Sequence, residues 1–140
     1  MYPVDALRLA CREAGERFLY LPEERGEELW QTPAGTEARG GGDCEDFALW
    51  AIARSVDLMR ADGGAFADSC EWRLIVGDLP NGRHAWAELR LAGDVWWADP
   101  TPGYGAPVGH PRAFGRTPLY AYRWEDGFLG QRFAYGEARP

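Results

Sequence analysis

Residues 47–53 read Phe-Ala-Leu-Trp-Ala-Ile-Ala. A helix through them has no polar face, and a helix that is apolar all round belongs in the middle of a domain. The rest of the chain must therefore cover it on several sides. Asp43 stands where an N-cap belongs, and Asp46, three residues on, gives a capping-box-like pattern. The spacing predicts a helix over 44–60, ended by Asp62-Gly63-Gly64. An earlier stretch, 4–20, has apolar residues at 7, 10, 11, 14, 18 and 21, with Asp5 as a cap and Pro22 as a stop. It reads as a second helix. Residues 22–42 are polar and punctuated by Pro and Gly, and read as a loop with at most short helical turns around the apolar island Leu29-Trp30.

The period then changes to two. Glu71–Val76, Arg83–Leu91 and Val95–Asp99 read as strands joined by turns at Pro80-Asn81-Gly82 and Ala92-Gly93-Asp94. Residues 100–118 are rich in Pro and Gly and read as a loop. Leu119–Glu125 and Phe128–Tyr135 read as a last hairpin, its aromatics forming core or lining a cleft. Helices first and an antiparallel meander after them make an α+β domain. At 140 residues, one domain over 1–140 is expected.

Charge narrows the function. The formal net charge is −7, with scattered arginines, which argues against nucleic acid as the main partner. No N-terminal apolar run resembles a signal peptide or a membrane span, so the chain as given reads as soluble and cytoplasmic, without membrane insertion. Three cysteines, Cys11, Cys44 and Cys70, do not make a disulfide framework. A Cys11–Cys70 bridge and two buried free thiols both remain open.

Chemistry concentrates at Gly40-Gly41-Gly42-Asp43-Cys44-Glu45-Asp46. Three carboxylates beside a thiol oppose its ionisation. Yet Cys44 falls in the first turn of the central helix, where backbone N–H groups and the helix dipole favour a thiolate and an oxyanion. The glycines are expected to admit a substrate backbone. A thiolate needs a base, and His84 stands on the strand after the Asn-Gly turn. There His84, Trp86 and Glu88 share one face, while Ala85, Ala87, Leu89 and Leu91 share the face suited to packing on the helix. Asp99 ends the next strand, held extended by Pro100. Cys44, His84 and Asp99 form a nucleophile, base and orienter set. Each alone has an ordinary reading, as a small core residue, a surface histidine or a turn aspartate. Their joint arrangement favours catalysis. His110 is the alternative base.

At this set the sequence resembles the bacterial transglutaminase-like cysteine proteinases. The resemblance lies in GDCEDFAL at 42–49, in Trp30-Gln31-Thr32-Pro33, in His84-Ala85-Trp86, and in Asp99-Pro100-Thr101. It implies a papain-like, transglutaminase-like fold with the nucleophile at the start of a central helix packed on an antiparallel sheet. It also implies Cys44, His84 and Asp99 as the catalytic residues. Calcium is the implied cofactor, with Asp43 and Asp46, joined by Glu45, as its ligands. Hard carboxylate oxygens suit that ion. The simpler alternative is that the acidic residues only cap the helix. The expected function is cysteine hydrolysis of an amide in a protein or peptide through a thioester, released by water (peptidase) or an amine (transglutaminase-type). The alternative class is a non-catalytic peptide- or calcium-binding module. The Cys44 backbone N–H is the first oxyanion donor, and the second is Gln31 or Trp30.

Overall fold

The structure is a computed structural model describing residues 1–22, 30–104 and 108–136. Leu29, half of the expected apolar island, lies outside them.

The apolar helix is where its sequence requires. It runs from Cys44 to Ala61, and we label it α3, with α1 over Pro3–Arg17 and α2 over Pro33–Arg39. Phe47, Ala48, Ala51 and Ile52 are completely buried. The capping box forms: the Asp43 side chain accepts the Asp46 N–H, and the Asp46 side chain accepts the Asp43 N–H. On one flank lies α1, which sets Val4, Leu7, Ala10 and Cys11 into the same core.

α1 stops at Arg17, short of the expected Pro22. Phe18 turns the backbone extended and puts its ring edge-on to Trp50 and Phe47. Packing on the central helix outweighs continued helical periodicity. Leu19–Tyr20 (β1) then pairs in parallel with Gly41–Gly42 (β2). α2 was expected only as short turns. Its punctuation was nonetheless present in Thr32-Pro33 and Gly40. The Thr32 hydroxyl accepts the Gly35 N–H, Pro33 opens the first turn, and Gly40 ends the helix in the left-handed region.

On the other flank of α3 lies an antiparallel sheet. Its strands are β3 (Cys70–Leu79), β4 (Gly82–Leu91), β5 (Asp94–Ala98), β6 (Val108–Gly109), β7 (Thr117–Glu125) and β8 (Phe128–Ala134). Their order across the sheet is β6-β5-β4-β3-β7-β8. The sheet is thus not one continuous meander. The chain crosses over through residues 99–116 and lays the last hairpin on the free edge of β3. The reason is legible in β3 itself: Leu74, Ile75 and Val76 are buried on both faces, which suits an interior strand.

The faces of β4 divide as its sequence suggests. Ala85, Ala87, Leu89 and Leu91 join the helix-side core. Trp86 joins a second cluster with Ile75, Trp97, Ala121 and Phe133. In the last hairpin Tyr120, Tyr122 and Trp124 pack on the helix-side core, while Phe128 is exposed. No helix among the described residues is long and apolar enough to cross a membrane.

Candidate active site

β5 ends opposite Ala87, and Pro100 prevents the ladder from continuing. The 84–85 stretch of β4 is therefore open on that edge. The N-terminus of α3 arrives there, and the Ala85 backbone N–H reaches the Cys44 sulfur. One residue earlier on β4, His84 Nε2 lies 2.8 Å from Asp99 Oδ2, both side chains buried. Asp99 Oδ1 accepts the Thr101 N–H at 3.1 Å, and Oδ2 also accepts from Arg116 at 2.7 Å. Burial pushes the Asp99 carboxyl up, but the hydrogen bonds from His84 and Arg116 and the guanidinium charge outweigh it and hold it below the ordinary range. An ionised Asp99 can only accept, so His84 carries a proton on Nε2. That leaves Nδ1 as the nitrogen able to take a proton from a nucleophile.

Cys44 itself is not poised as the helix position alone suggests. Its thiol donates to Glu45 Oε2 at 3.3 Å, and no hydrogen bond joins it to His84 among the described residues. Burial and then the Glu45 carboxylate drive its pKa far up, opposed by the Ala85 N–H. The repulsion visible in the sequence is real in the fold. Glu45 is raised to about 7, first by burial and then by its contact with Asp43. Asp46 is raised to about 6 for similar reasons.

The upstream Trp-Gln-Thr-Pro segment is tied into this turn. Asp46 Oδ1 accepts the Gln31 backbone N–H at 2.8 Å, and Oδ2 accepts from Gln31 Nε2 at 3.0 Å. Gln31 Nε2 also donates to the Gly41 carbonyl at 3.0 Å. The Gln31 amide nitrogen is therefore committed to building the loop. Trp30 differs, for its indole N–H is buried with no partner among the described residues. The glycines also have internal work. A Cβ at Gly42 would overlap the Asp46 carboxylate, and one at Gly41 would overlap the Leu19 carbonyl. Close packing of the chain on itself explains them, where substrate access was expected.

As calcium donors the acidic residues separate. Asp46 spends both oxygens on N–H groups, while Asp43 and Glu45 lie carboxyl to carboxyl. Hard oxygens under mutual repulsion are the right donor type for that ion. Among the described residues no three His, Cys, Asp or Glu side chains converge as a metal site.

The fold is similar to that of LapG from Legionella pneumophila. The calcium-bound structure of that protein aligns with a TM-score of 0.67 at 18% identity, over 91% of this chain and 71% of the other. The EGTA-treated structure gives 0.68 at 18% identity, over 92% and 72%. At that identity the likeness is one of fold, and the chain has a transglutaminase-like α+β core. No protein-family model matches the sequence. No curated protein matches it either.

Three neighbours of Cys44, His84 and Asp99 escaped the sequence. Tyr104 stacks on His84, ring centroids 4.1 Å apart and nearly parallel. Tyr20 stands near enough to Cys44 and Asp43 that, after burial, their charges help raise its pKa to about 12. Arg116 grips Asp99 from 17 residues away. Tyr104 and Arg116 fall within a stretch read only as loop, and no local spacing flags any of the three. His110, the alternative base, stacks on Trp96, with Nδ1 3.2 Å from the Val95 carbonyl. Among the described residues no hydrogen bond or ring contact ties it to Cys44. All three cysteines are free thiols.

Proposed function

We propose that the protein is a cysteine peptidase in which Cys44 attacks the carbonyl carbon of an amide in a protein or peptide. His84 Nδ1 takes the thiol proton and passes it to the nitrogen of the leaving amine. Asp99 accepts the Nε2–H and stabilises the imidazolium while that proton is held. The products of this half are a free amine and a thioester on Cys44, which water then hydrolyses. The Cys44 backbone N–H, at the start of α3, donates to the oxyanion. Of the two side-chain candidates for the second donor, Trp30 is the one with an N–H left over.

One observation carries the reading. A buried His–Asp pair at 2.8 Å stands one residue from Ala85, whose backbone N–H lowers the pKa of the Cys44 thiol at the helix N-terminus. In ligand-free enzymes the nucleophile–base contact is often long and tightens only with substrate. The likeness to LapG, solved calcium-bound and EGTA-treated, supports a calcium-linked site. Asp43 and Glu45 would hold the ion, with Asp46 bracing the turn behind them. When bound, it would cancel the carboxylate charge that keeps the Cys44 thiol protonated. The test is cleavage of an unfolded protein substrate by wild type and Cys44→Ala, each with calcium and with EGTA. Loss of cleavage in Cys44→Ala supports the reading. Full activity in that variant overturns it.

A further inference from the structure

The Asp99 carboxylate is completely buried, and three N–H donors converge on it. Two of them, His84 Nε2 and Arg116 Nη1, share the single oxygen Oδ2. Arg116 is an unusual residue to find there. Its side chain is 4% exposed, and its Nε has no partner among the described residues. The guanidinium carbon lies 4.9 Å from the Trp86 ring centre and 5.1 Å from that of Phe114. Two ring faces hold the cation, and Nη1 donates to one carboxylate oxygen.

The fold makes room for this arrangement. Arg116 directly precedes β7, after Gly115 in the left-handed region. β7 can close on β3 only because Gly77 lacks a Cβ. A side chain there would overlap the Thr117 carbonyl and press on Trp86 and Pro118. Gly77 is paired with His84 on one side and Pro118 on the other. The base, the ring under the arginine and the strand that delivers it therefore meet at one glycine.

We propose that Arg116 is a positioning residue: it aims Asp99 Oδ2 at His84 and keeps that oxygen a pure acceptor, which fixes the imidazole proton on Nε2. The inference rests on the peptidase reading for its purpose, but its geometry stands alone. Without the guanidinium, a fully buried carboxylate beside a neutral imidazole is driven to take up a proton. A protonated Asp99 donates to Nε2, the ring proton moves to Nδ1, and the nitrogen needed by Cys44 is blocked. The other ionisable and charged groups around Asp99 do not replace Arg116. Cys11 from α1 is a buried neutral thiol, and Arg8 and Arg12 of α1 line the open side of the Asp99 loop.

The experiment uses Arg116→Met, which keeps an apolar stem between the rings, and Arg116→Lys, which keeps the charge without the fork. The His84 tautomer is read from its ring 15N shifts, and kcat and KM from cleavage of an unfolded protein substrate. Wild type shows the Nε2–H form. Arg116→Met loses it and drops kcat about 10²-fold at little-changed KM, the scale of a misplaced catalytic group. Arg116→Lys falls between the two in both readouts. A folded Arg116→Met protein with the wild-type tautomer and kcat overturns the proposal. Should that protein not fold, an Arg116→Lys protein with unshifted His84 signals and wild-type kcat does so instead. If the wild type cleaves no amide, the peptidase reading fails, and the 15N shifts still decide the role of Arg116.

Discussion

At the scale of single residues, the account turns on which groups are ionised. Asp99→Asn keeps the shape of the orienter and gives His84 a different hydrogen-bond partner. It is expected to lower kcat by about 10²–10⁴-fold, with KM little changed, by analogy with triad orienters. Steady-state kinetics on a peptide substrate checks this. The same substitution has a signature in stability. Because the folded state holds Asp99 below its ordinary pKa, its contribution is present above about pH 4 and is lost as pH falls through the lower folded value. Acid unfolding of Asp99→Asn is expected to show a flatter pH dependence below about pH 4 than wild type. Glu45 and Asp46 work in the opposite sense. Raised to about 7 and about 6, they favour the fold when protonated and oppose it as pH rises through those values. Without calcium, the melting temperature should therefore fall between about pH 4 and 7, from the unfolded values of these carboxyls to their folded ones. Calcium should raise it and flatten the slope. A calcium-independent melting curve would remove the ion from the account.

At the scale of elements, the turn from Trp30 to Asp46 is a small closed structure. Asp43 caps α3, Asp46 caps Asp43 and grips Gln31, and Gly42 leaves room for both. Gly42→Ala is expected to cost about 1–3 kcal/mol, the range for overpacking a tight site. Asp43→Ala should cost about 1 kcal/mol as a lost N-cap, and less of that cost should remain as pH rises through the range where Glu45 and Asp46 ionise, because the substitution removes the charge that repels them. Chemical denaturation checks both. Much of this element was legible in the sequence. The capping box, the bounds of α3 and the three β3–β5 strands follow from spacing and period. The role of Gln31 was not legible. Its side chain could serve an oxyanion or a loop with equal sense until the fold placed Asp46 against it. The end of α1 was missed because Phe18 answers to Trp50 and Phe47, which lie about 30 residues on.

At the scale of the whole molecule, the sheet order matters most. β3 is interior because the last hairpin crosses over to its edge, and that same crossing carries Tyr104 and Arg116 to the His84–Asp99 pair. A chain ending at residue 110 would leave β3 unpaired along one edge and strip Tyr120, Tyr122 and Trp124 from the core. It is expected to lose cooperative unfolding, as thermal melting followed by near-ultraviolet circular dichroism would show. The crossing was invisible in the sequence because no periodicity records which edge a hairpin joins. Cys44, His84 and Asp99 were legible as candidates because they sit at or near element ends with recognisable punctuation, and the fold brings His84 and Asp99 together. The central claim is that Cys44 becomes a nucleophile when the acidic turn is neutralised. Its most direct measurement is iodoacetamide labelling near pH 6.5, with each cysteine read by mass spectrometry, with calcium and with EGTA. The account predicts that Cys44 reacts far faster than Cys11 or Cys70 with calcium, and slows sharply in EGTA. Equal slow labelling of all three cysteines in both conditions would contradict it.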